Sequence, residues 1–442
     1  MGLGAFHRSH QAWYTQHASD AAEWGIASFT GRRPDAAQVL AAQDGLYTVV
    51  ERSDAGDSFE VIGSIVEALD GADVERFVEL VAAPLSSVIT LTITEAAYRL
   101  GVDGKLDSKA PDVVADLASL TEGAGSASGE PSTPLGRLVL GLAARRDADA
   151  GPLAVVCCDN LSNNGTVARN AVAGMALAFD AGLAAWIDAN VSFVSTSVDR
   201  ITPRTTEADI DAVAAACGYR DEAPVVAEPF RDWVLSGDFP AGRPRWEDAG
   251  AIFVDEIEPY ENRKLWLLNG AHSLLAYAGQ LRGHKTVAEA LADESCRRAV
   301  EDFWDEAAAN LHGDELRIPE YRAALLERFE NSRIAHHLAQ IAMDGSTKLR
   351  MRAVPVLRAE RAAGRSGEAA ARMIAAWSAY TASATGLQDP RAADIAAANA
   401  LVGRARLEAL LGLVDPELAA DAGIVDLVEG LAATFATAGN LS

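Results

Sequence analysis

Residues 152–165, PLAVVCCDNLSNNG, place an apolar run directly before a polar turn, and this arrangement decides the fold class. The run at 152–158 is typical of a strand buried on both faces of a parallel sheet. The turn at 159–165 leads into a helical pattern over 166–178. A strand, a turn and a helix form one unit of an α/β fold, whose sheets bind ligands at the carboxyl ends of their strands. We therefore interpret the turn as ligand-facing, with a purely structural turn as the alternative.

Similar strand patterns lie on both sides of this unit. Residues 87–95, SVITLTITE, are β-branched almost throughout, which favours a second buried strand. Thr94 and Glu95 then fall at the carboxyl edge of the sheet and are candidate cofactor contacts. Further strands are predicted at 24–30, 43–51, 60–65, 191–198 and 224–227, the second and third of these as a hairpin.

The first residues, MGLGAFHRSHQ, form a glycine-rich turn that runs into a helical pattern. Glycines allow the backbone to approach a pyrophosphate, and the free N–H groups at a helix start bind it. Gly2, Gly4, Ala5 and Phe6 are therefore candidate cofactor contacts. Only Met1 stands where a strand normally precedes such a turn, and losing that strand would expose core surface and unpaired backbone groups. We expect the true start of the chain to lie upstream of Met1.

The segment after the strand at 24–30 is where a dinucleotide fold usually reads the ribose of its cofactor. It contains Gly31, Arg32, Arg33 and Asp35 but no acid directly at the strand end. This segment therefore leaves the choice between NAD and NADP as the cofactor open. Arg32 is a candidate contact, and the alternative is a solvated loop.

From about Ile257 the pattern becomes helical to the end of the chain. The long periodic segments cover 286–310, 319–329, 367–385 and 389–412. The predicted fold class is thus α/β: a Rossmann-type N-terminal domain over 1–256, lacking its first strand, followed by an all-α C-terminal domain over 257–442.

Residues 260–275, YENRKLWLLNGAHSLL, set ionisable and amide side chains within an apolar helical run. At about 100° per residue, one sector of the helix holds four of them: Lys264, Glu261, His272 and Asn269. Burial would lower the pKa of the lysine, which would then act as a general base. The alternative is a snorkelling lysine, a cap-forming asparagine and a hydrogen-bonded core histidine.

The composition argues against several classes of function. A net charge of −25 offers no basic stripe for a nucleic-acid backbone. The sequence has no signal-peptide pattern and no apolar stretch of about 18 residues, so we expect a cytoplasmic protein without a membrane partner and with reduced cysteines. The histidines and cysteines lack metal-ligand spacing, and no G-x-S-x-G elbow indicates a hydrolase.

The remaining chemistry fits dehydrogenation of a secondary alcohol without a metal. A lysine base takes the hydroxyl proton while hydride leaves the carbon for a nicotinamide. Two asparagine side chains would stabilise the developing alkoxide.

Seven segments carry a family resemblance: GLGAFHRSH, QDGLYTVVER, LTITE, CDNLSNNG, VDRITP, KLWLLNGAHS and QIAMDGSTKL. In this order they resemble the polyol-specific long-chain dehydrogenase/reductase family, which includes mannitol 2-dehydrogenase, arabinitol dehydrogenase and fructuronate reductase. The most specific block is K-x-x-x-x-N-x-x-H, at Lys264, Asn269 and His272. The resemblance implies a zinc-independent, nicotinamide-dependent enzyme, usually monomeric, with a Rossmann-type domain and a helical C-terminal domain.

The resemblance also implies a role for each matching residue. Lys264 matches the general base, Asn160 and Asn269 the pair that stabilises the alkoxide, Glu261 a carboxylate on the proton path, and Asp199, His272 and Lys348 residues near the substrate.

The substrate is expected to be a polyol or a sugar acid, which is converted to a ketose or a ketouronate. Gln340 stands where mannitol-type members carry arginine, and the run QIAMDGS is closer to the fructuronate reductase branch. Fructuronate reductase (D-mannonate oxidoreductase) is therefore an alternative within the family. From another class, the alternative is a nucleotide-binding remnant without catalysis.

Overall fold

The computed structural model describes residues 1–31, 33–101, 103–122 and 129–438. The chain divides into two compact units, Met1–Glu258 and Pro259–Ser442. The first is an α/β unit with a parallel sheet and the second is helical. The predicted fold class is confirmed.

The strands all belong to the first unit. They are β1 (Ile26–Phe29), β2 (Tyr47–Ser53), β3 (Gly56–Ile62), β4 (Ile65–Leu69), β5 (Val88–Leu91), β6 (Leu153–Cys157), β7 (Val191–Asp199), β8 (Val225–Ala227), β9 (Asp232–Ser236) and β10 (Ile252–Phe253).

The central sheet has the order β10-β9-β7-β6-β5. Strands β5, β6 and β7 run parallel, and β9 joins β7 antiparallel. The predicted hairpin is present as β2 and β3, and β8 adds to β2 in parallel. A separate parallel pair is formed by β1 and β4.

The helices of the first unit cover both faces of this sheet. They are α1 (Ala5–Ser9), α2 (Gln11–Gln16), α3 (Asp35–Ala41), α4 (Val74–Ala82), α5 (Pro111–Glu122), α6 (Pro134–Asp147), α7 (Asn164–Phe179), α8 (Ala181–Asn190) and α9 (Glu207–Cys217).

Strand β6 explains why the sequence reads as a continuous apolar run there. Alternate side chains along a strand point to opposite faces of the sheet. Val155 packs into the core beneath α6 and α7, whereas Val156 packs into a second core with Trp13 and Trp233. Both faces of β6 are therefore buried.

Met1 and Gly2 together bridge β1 and β5, which are not paired with each other in the described part of the chain. The Met1 amino group donates to the Thr90 carbonyl at 2.6 Å, and the Met1 carbonyl accepts from the Thr92 amide at 3.0 Å. The Gly2 amide donates to the Phe29 carbonyl at 2.9 Å. Behind Met1, a cavity of about 270 Å³ runs between the two strands.

The second unit is built from helices and one π-helical segment, Lys264–Gly270. The helices are α10 (Glu258–Arg263), α11 (Ala271–Leu281), α12 (Val287–Ala292), α13 (Glu294–Ala308), α14 (Ile318–Glu330), α15 (Leu338–Ile341), α16 (Gly345–Arg352), α17 (Val354–Ala362), α18 (Glu368–Ser383), α19 (Ala392–Asn399), α20 (Gly403–Val414), α21 (Pro416–Ala420) and α22 (Ala422–Ala438).

Helix α11 lies at the centre of this unit, since every residue from 271 to 279 is buried. It packs against α12, α13, α15 and α18. An all-buried helix reads as apolar all round, which is the pattern seen in the sequence.

Several predicted boundaries are wrong. The helix at 286–310 is two helices, because the Asp293 side chain accepts the Ser295 amide at 2.8 Å and starts α13. The segment at 389–412 likewise divides into α19 and α20. The predicted strand at 60–65 spans the end of β3 and the start of β4, and β9 was missed because its apolar part is only three residues long.

Candidate active site

The glycine-rich turn lies at the carboxyl ends of β1 and β5. Gly2 has a positive φ of 105°, and a Cβ atom there would meet the Thr92 Oγ1 at 2.3 Å, so only glycine fits. Gly4 is exposed, and a Cβ there would have no neighbour closer than 3.9 Å. The first turn of α1, at Ala5 and Phe6, follows without a side-chain cap. A tight turn, an open glycine and uncapped N–H groups are the features that fit a dinucleotide phosphate.

The other predicted cofactor contacts follow the strand ends. Strand β5 stops at Leu91, earlier than predicted, and Thr94 precedes a 3₁₀ turn that begins at Glu95. Both side chains are exposed at the edge of the sheet. Arg32 lies outside the described residues. The neighbouring Arg33 is exposed and pairs with Asp35 at 3.3 Å.

Asn160 follows β6 in a turn that is anchored by hydrogen bonds to its neighbour Asp159. The Tyr98 hydroxyl donates to the Asp159 carboxylate at 2.5 Å, and the Leu161 amide donates to the other oxygen at 2.9 Å. Burial raises the pKa of Asp159. The Asn164 side chain donates to the Asp159 carbonyl at 3.1 Å. Asn160 itself is exposed, at the tip of this anchored turn.

The same turn is tied to β7, the strand that ends at Asp199. The side-chain Nδ2 of Asn164 donates to the Thr196 backbone carbonyl at 3.0 Å. The side-chain Oδ1 of Asn164 accepts from the Thr196 backbone N–H at 2.8 Å. Asp199 is buried and opposite Asp232 of β9. Asn160 and Asp199 are therefore carried by adjacent, cross-linked strands.

The continuous α-helical geometry assumed over 260–275 is wrong, because Lys264–Gly270 is π-helical. A π turn closes between residues five apart, rather than the four of an α turn. Lys264 and Asn269 are five apart, which is the spacing of one π turn, so this turn places them on one face of the helix. An α-helix would separate them by about 140°. Glu261 lies one turn earlier, on α10. All three side chains are partly buried.

His272 is buried in the first turn of α11. Its ring centroid lies 4.7 Å from that of Phe329 and 4.7 Å from that of His336. Burial, reinforced by the charge of His336, lowers the pKa of His272 well below its ordinary value. Its Nε2 atom has no hydrogen-bond partner in the described part of the chain. The imidazole is thus neutral, with one ring nitrogen uncommitted, which differs from a hydrogen-bonded core histidine.

Lys348 is hydrogen-bonded to α15, the helix that contains Gln340. The Lys348 Nζ donates to the carbonyl of Ile341 at 3.0 Å, next in sequence to Gln340. Burial lowers the pKa of Lys348. Gln340 is exposed and lines a cavity of about 560 Å³ together with Gln280 and Tyr380.

Two residues that support the site were not predicted. Tyr98 anchors the Asn160 turn, and the Arg352 guanidinium donates to the Asn269 carbonyl at 3.1 Å. Both contacts join residues distant in sequence, so no local pattern indicates them. Among the described residues, no group of three or more His, Cys, Asp or Glu is arranged to hold a metal ion. No described helix is both long enough and apolar enough to cross a membrane.

The fold is that of a two-domain protein with a Rossmann-type domain and a helical domain. Residues 1–248 match the family model described as the mannitol dehydrogenase Rossmann domain, and residues 256–432 match the mannitol dehydrogenase C-terminal domain. The chain belongs to the mannitol dehydrogenase family and is an oxidoreductase of that family.

Named relatives differ in the substrate that their names state. The chain is 37% identical to D-mannonate oxidoreductase of Escherichia coli (strain K12), over 93% of this chain and 87% of the relative. It is 36% identical to mannitol 2-dehydrogenase of Cereibacter sphaeroides, over 86% of this chain and 80% of the relative.

Two solved structures are similar over nearly the whole chain. A D-sorbitol dehydrogenase in substrate-free form superposes with a TM-score of 0.90 at 29% identity, covering 99% of this chain and 92% of the other. The Pseudomonas fluorescens mannitol 2-dehydrogenase, a ternary complex with NAD and D-mannitol, gives a TM-score of 0.78 at 33% identity with the same coverage.

Proposed function

We propose that this chain is a metal-independent, NAD(P)-dependent oxidoreductase that interconverts a secondary alcohol of a sugar alcohol or aldonate with the matching ketose or ketouronate. The observation that carries the proposal is the π-helical segment Lys264–Gly270, in which Lys264 and Asn269 are spaced by one π turn. Among π segments in proteins, a large share lie at functional sites. This one holds the two residues that the family resemblance pairs as base and amide donor.

The cofactor is proposed to bind the first domain, residues 1–256, with residues 257–442 completing the substrate site. Gly2, Gly4, Ala5 and Phe6 would hold the pyrophosphate, with Thr94 and Glu95 at the adjacent strand end. Arg32 is retained as a proposed contact. NAD is the cofactor that we propose, because a structural neighbour was solved with it. The ribose-reading segment leaves NADP open as the alternative, and titration with both cofactors distinguishes the two.

The proposed chemistry separates a proton from a hydride. Lys264 takes the proton of the substrate hydroxyl, and the side-chain amides of Asn160 and Asn269 donate to the oxygen as its negative charge develops. When bound, the nicotinamide supplies the acceptor for the hydride that leaves the carbon. Glu261 is proposed to pass the lysine's proton outward.

The remaining predicted residues are proposed to bind the other hydroxyl groups of the substrate. His272 suits this role because a neutral imidazole both donates and accepts hydrogen bonds. Asp199, Lys348 and Gln340 would contact the rest of the chain of hydroxyls or a terminal carboxylate. We further propose a cytoplasmic monomer that acts on small molecules and binds neither nucleic acid nor membrane.

Fructuronate reductase, that is D-mannonate oxidoreductase, is the second candidate within the family. It is favoured by the similarity to the Escherichia coli enzyme of that name and by glutamine at position 340. A nucleotide-binding remnant without catalysis is the candidate from another class, motivated by the cavity between β1 and β5.

Replacing the base tests the proposal directly. Lys264→Ala should lower kcat by about 10²–10⁴-fold, the usual contribution of a positioned general base, and should leave the Kd of the cofactor nearly unchanged. The assay follows reduced-cofactor absorbance with mannitol, arabinitol, fructose and fructuronate, each with NAD and NADP.

Lys285→Ala is the matched control, because Lys285 is an exposed lysine of the same unit. It should keep full activity. Full activity in Lys264→Ala would reject Lys264 as the base. No turnover with any substrate, combined with measurable cofactor binding in calorimetry, would instead support the remnant.

A further inference from the structure

Arg352, the last residue of α16, contacts the junction between the π segment and α11. One guanidinium nitrogen, Nη1, donates to the backbone carbonyl of Asn269 at 3.1 Å and to the side-chain hydroxyl of Ser273 at 2.9 Å. Asn269 belongs to the π segment, and Ser273 to the first turn of α11. A single side chain therefore ties together the two kinds of helix.

A π segment needs such support, because it interrupts the regular i→i−4 bonding of the flanking α-helices. Carbonyl groups near the interruption require other donors. The Trp304 indole supplies one at 2.6 Å from the Leu267 carbonyl, and Arg352 supplies the other. Gly270 adds a steric condition, since a Cβ there would lie 2.5 Å from the Phe303 ring.

Arg352 is half-buried, and its position is costly for a cation. Its described hydrogen bonds go to neutral acceptors, Asn269 and Ser273, and burial lowers its pKa to about 10. At neutral pH it is still charged, so its bond to the Asn269 carbonyl is charge-assisted and stronger than a neutral one. Buried charges are normally paired with an opposite charge. Here the charged guanidinium donates its hydrogen bond to the backbone carbonyl of Asn269 instead.

We infer that Arg352 is a positioning residue, which holds the π segment and thereby keeps Asn269 stacked with Lys264. The inference rests on the proposed function of those two residues and extends it to a residue that need not contact the substrate. Without the guanidinium, the segment relaxes toward α-helical bonding and turns the Asn269 amide away from the Lys264 face. The loss then falls on alkoxide stabilisation, which acts in the transition state, so kcat decreases more than KM increases.

A double-mutant cycle between Arg352→Ala and Asn269→Ala tests this inference. Asn269→Ala alone should lower kcat by about 100-fold or more, as the loss of one oxyanion donor does. If Arg352 acts through Asn269, adding Arg352→Ala to Asn269→Ala should lower kcat by less than about threefold more. The reason is that the effects of two substitutions in contacting residues are not additive when both act through the same interaction. Arg352→Lys, which keeps a cation and a donor, should recover part of the kcat.

Arg350→Ala is the matched control on the same helix. Arg350 also donates to a backbone carbonyl, that of Val414 at 2.8 Å, but on the side facing α20. Its loss should leave kcat unchanged, even where the midpoint of thermal unfolding falls.

Additive losses in the cycle, or a change confined to KM, would overturn the inference. Where Arg352→Ala does not fold, Arg352→Lys takes its place in the same cycle with the same criterion. Failure of the proposed function is distinct, since then either the unmodified chain turns over no substrate or Lys264→Ala and Asn269→Ala both keep full activity. If those two variants lose activity and the cycle is additive, only the role of Arg352 is rejected.

Discussion

At the scale of single residues, Tyr98 and Asp159 decide how firmly Asn160 is presented. The Asp159 carboxylate is buried, and burial raises its pKa above the ordinary value of 3.8. The folded protein therefore holds this proton to a higher pH than the unfolded chain. Stability is lost as the pH rises through that window, because the charged carboxylate must then be kept in the fold. The hydrogen bond from Tyr98 acts in the opposite sense and stabilises the charged form.

Tyr98→Phe should therefore be destabilising mainly where Asp159 is ionised. Leaving a buried carboxylate without this donor costs about 1–3 kcal/mol in the free energy of unfolding. The cost should be larger at about pH 7 than at about pH 3.8, the ordinary pKa of this carboxyl, because the raised pKa leaves Asp159 mostly protonated there. Urea titration at both pH values measures the difference.

Tyr219→Phe is the control for this prediction. Tyr219 is exposed and its hydroxyl contacts Thr48 at 2.9 Å, so its loss should change stability little at either pH. A Tyr98→Phe variant whose destabilisation does not depend on pH would show that Asp159 is not the group concerned.

Residue identities at the site were accessible from sequence, whereas their partners were not. Lys264, Asn269 and His272 stand in one short block, so a family motif picks them out. Tyr98 lies 61 residues before Asp159, and Arg352 lies 83 residues after Asn269. Contacts over such distances follow from how helices and strands pack, which local patterns do not encode.

At the scale of elements, the cavity between β1 and β5 is the clearest open position in the first unit. Met1 already makes strand-like bonds to Thr90 and Thr92 on one side, while Gly2 bonds Phe29 on the other. Burial lowers the pKa of the Met1 amino group to about 6, because desolvation disfavours its charged form. An extended apolar segment would instead satisfy both strand edges.

Joining about five alternating valine and isoleucine residues to the amino end of Met1 should raise the Tm. The added strand buries apolar side chains and pairs the free edges of β1 and β5, and each kcal/mol gained corresponds to about 2–4 °C in a unit of this size. Differential scanning calorimetry of the extended and unextended chains measures the change.

A segment of equal length with proline at its centre is the comparison, since proline cannot donate to either neighbouring strand. It should give no rise in Tm. Equal values of Tm for all three chains would mean that the cavity does not accept a strand. The expectation that the chain starts upstream of Met1 stays a prediction.

The helix that carries Lys264 shows where element prediction failed. Periodicity at about 100° per residue describes an α-helix, and it offers no sign of a wider turn. The π segment is set by donors from other helices, at Trp304 and Arg352, and by the packing of Gly270 on Phe303. These are tertiary contacts, so the stacking of Lys264 and Asn269 did not follow from the pattern.

At the scale of the whole molecule, the proposed cofactor contacts all belong to one unit, Met1–Glu258. The proposed substrate contacts come from both units: Asn160 and Asp199 belong to Met1–Glu258, and Lys264, Asn269 and His272 belong to Pro259–Ser442. Binding of the cofactor should therefore be measurable apart from turnover. Ligand that binds only the folded state stabilises it by mass action.

NAD at about 100 times its Kd should add about 2.7 kcal/mol to the free energy of unfolding and raise the Tm accordingly. NADP in a parallel titration reports the cofactor preference, and the Gly2→Ala variant should lose the shift, because a Cβ would collide with Thr92.

FAD serves as the control dinucleotide and should leave the Tm unchanged. If neither NAD nor NADP shifts the Tm of the unmodified chain, the proposed cofactor site is rejected. If the Gly2→Ala variant keeps the rise in Tm on cofactor binding, the turn at Gly2 is not part of the cofactor site.

The sequence by itself determined the α/β and helical halves, the family and the residues proposed to act, because apolar periodicity and short motifs are local properties of the chain. The tertiary structure alone decided the π turn at Lys264, the neutral state of His272 and the anchoring of Asn160 by Tyr98. Each of these depends on burial or on a donor supplied from elsewhere in the fold. Such contacts exist only after the helices and strands have packed.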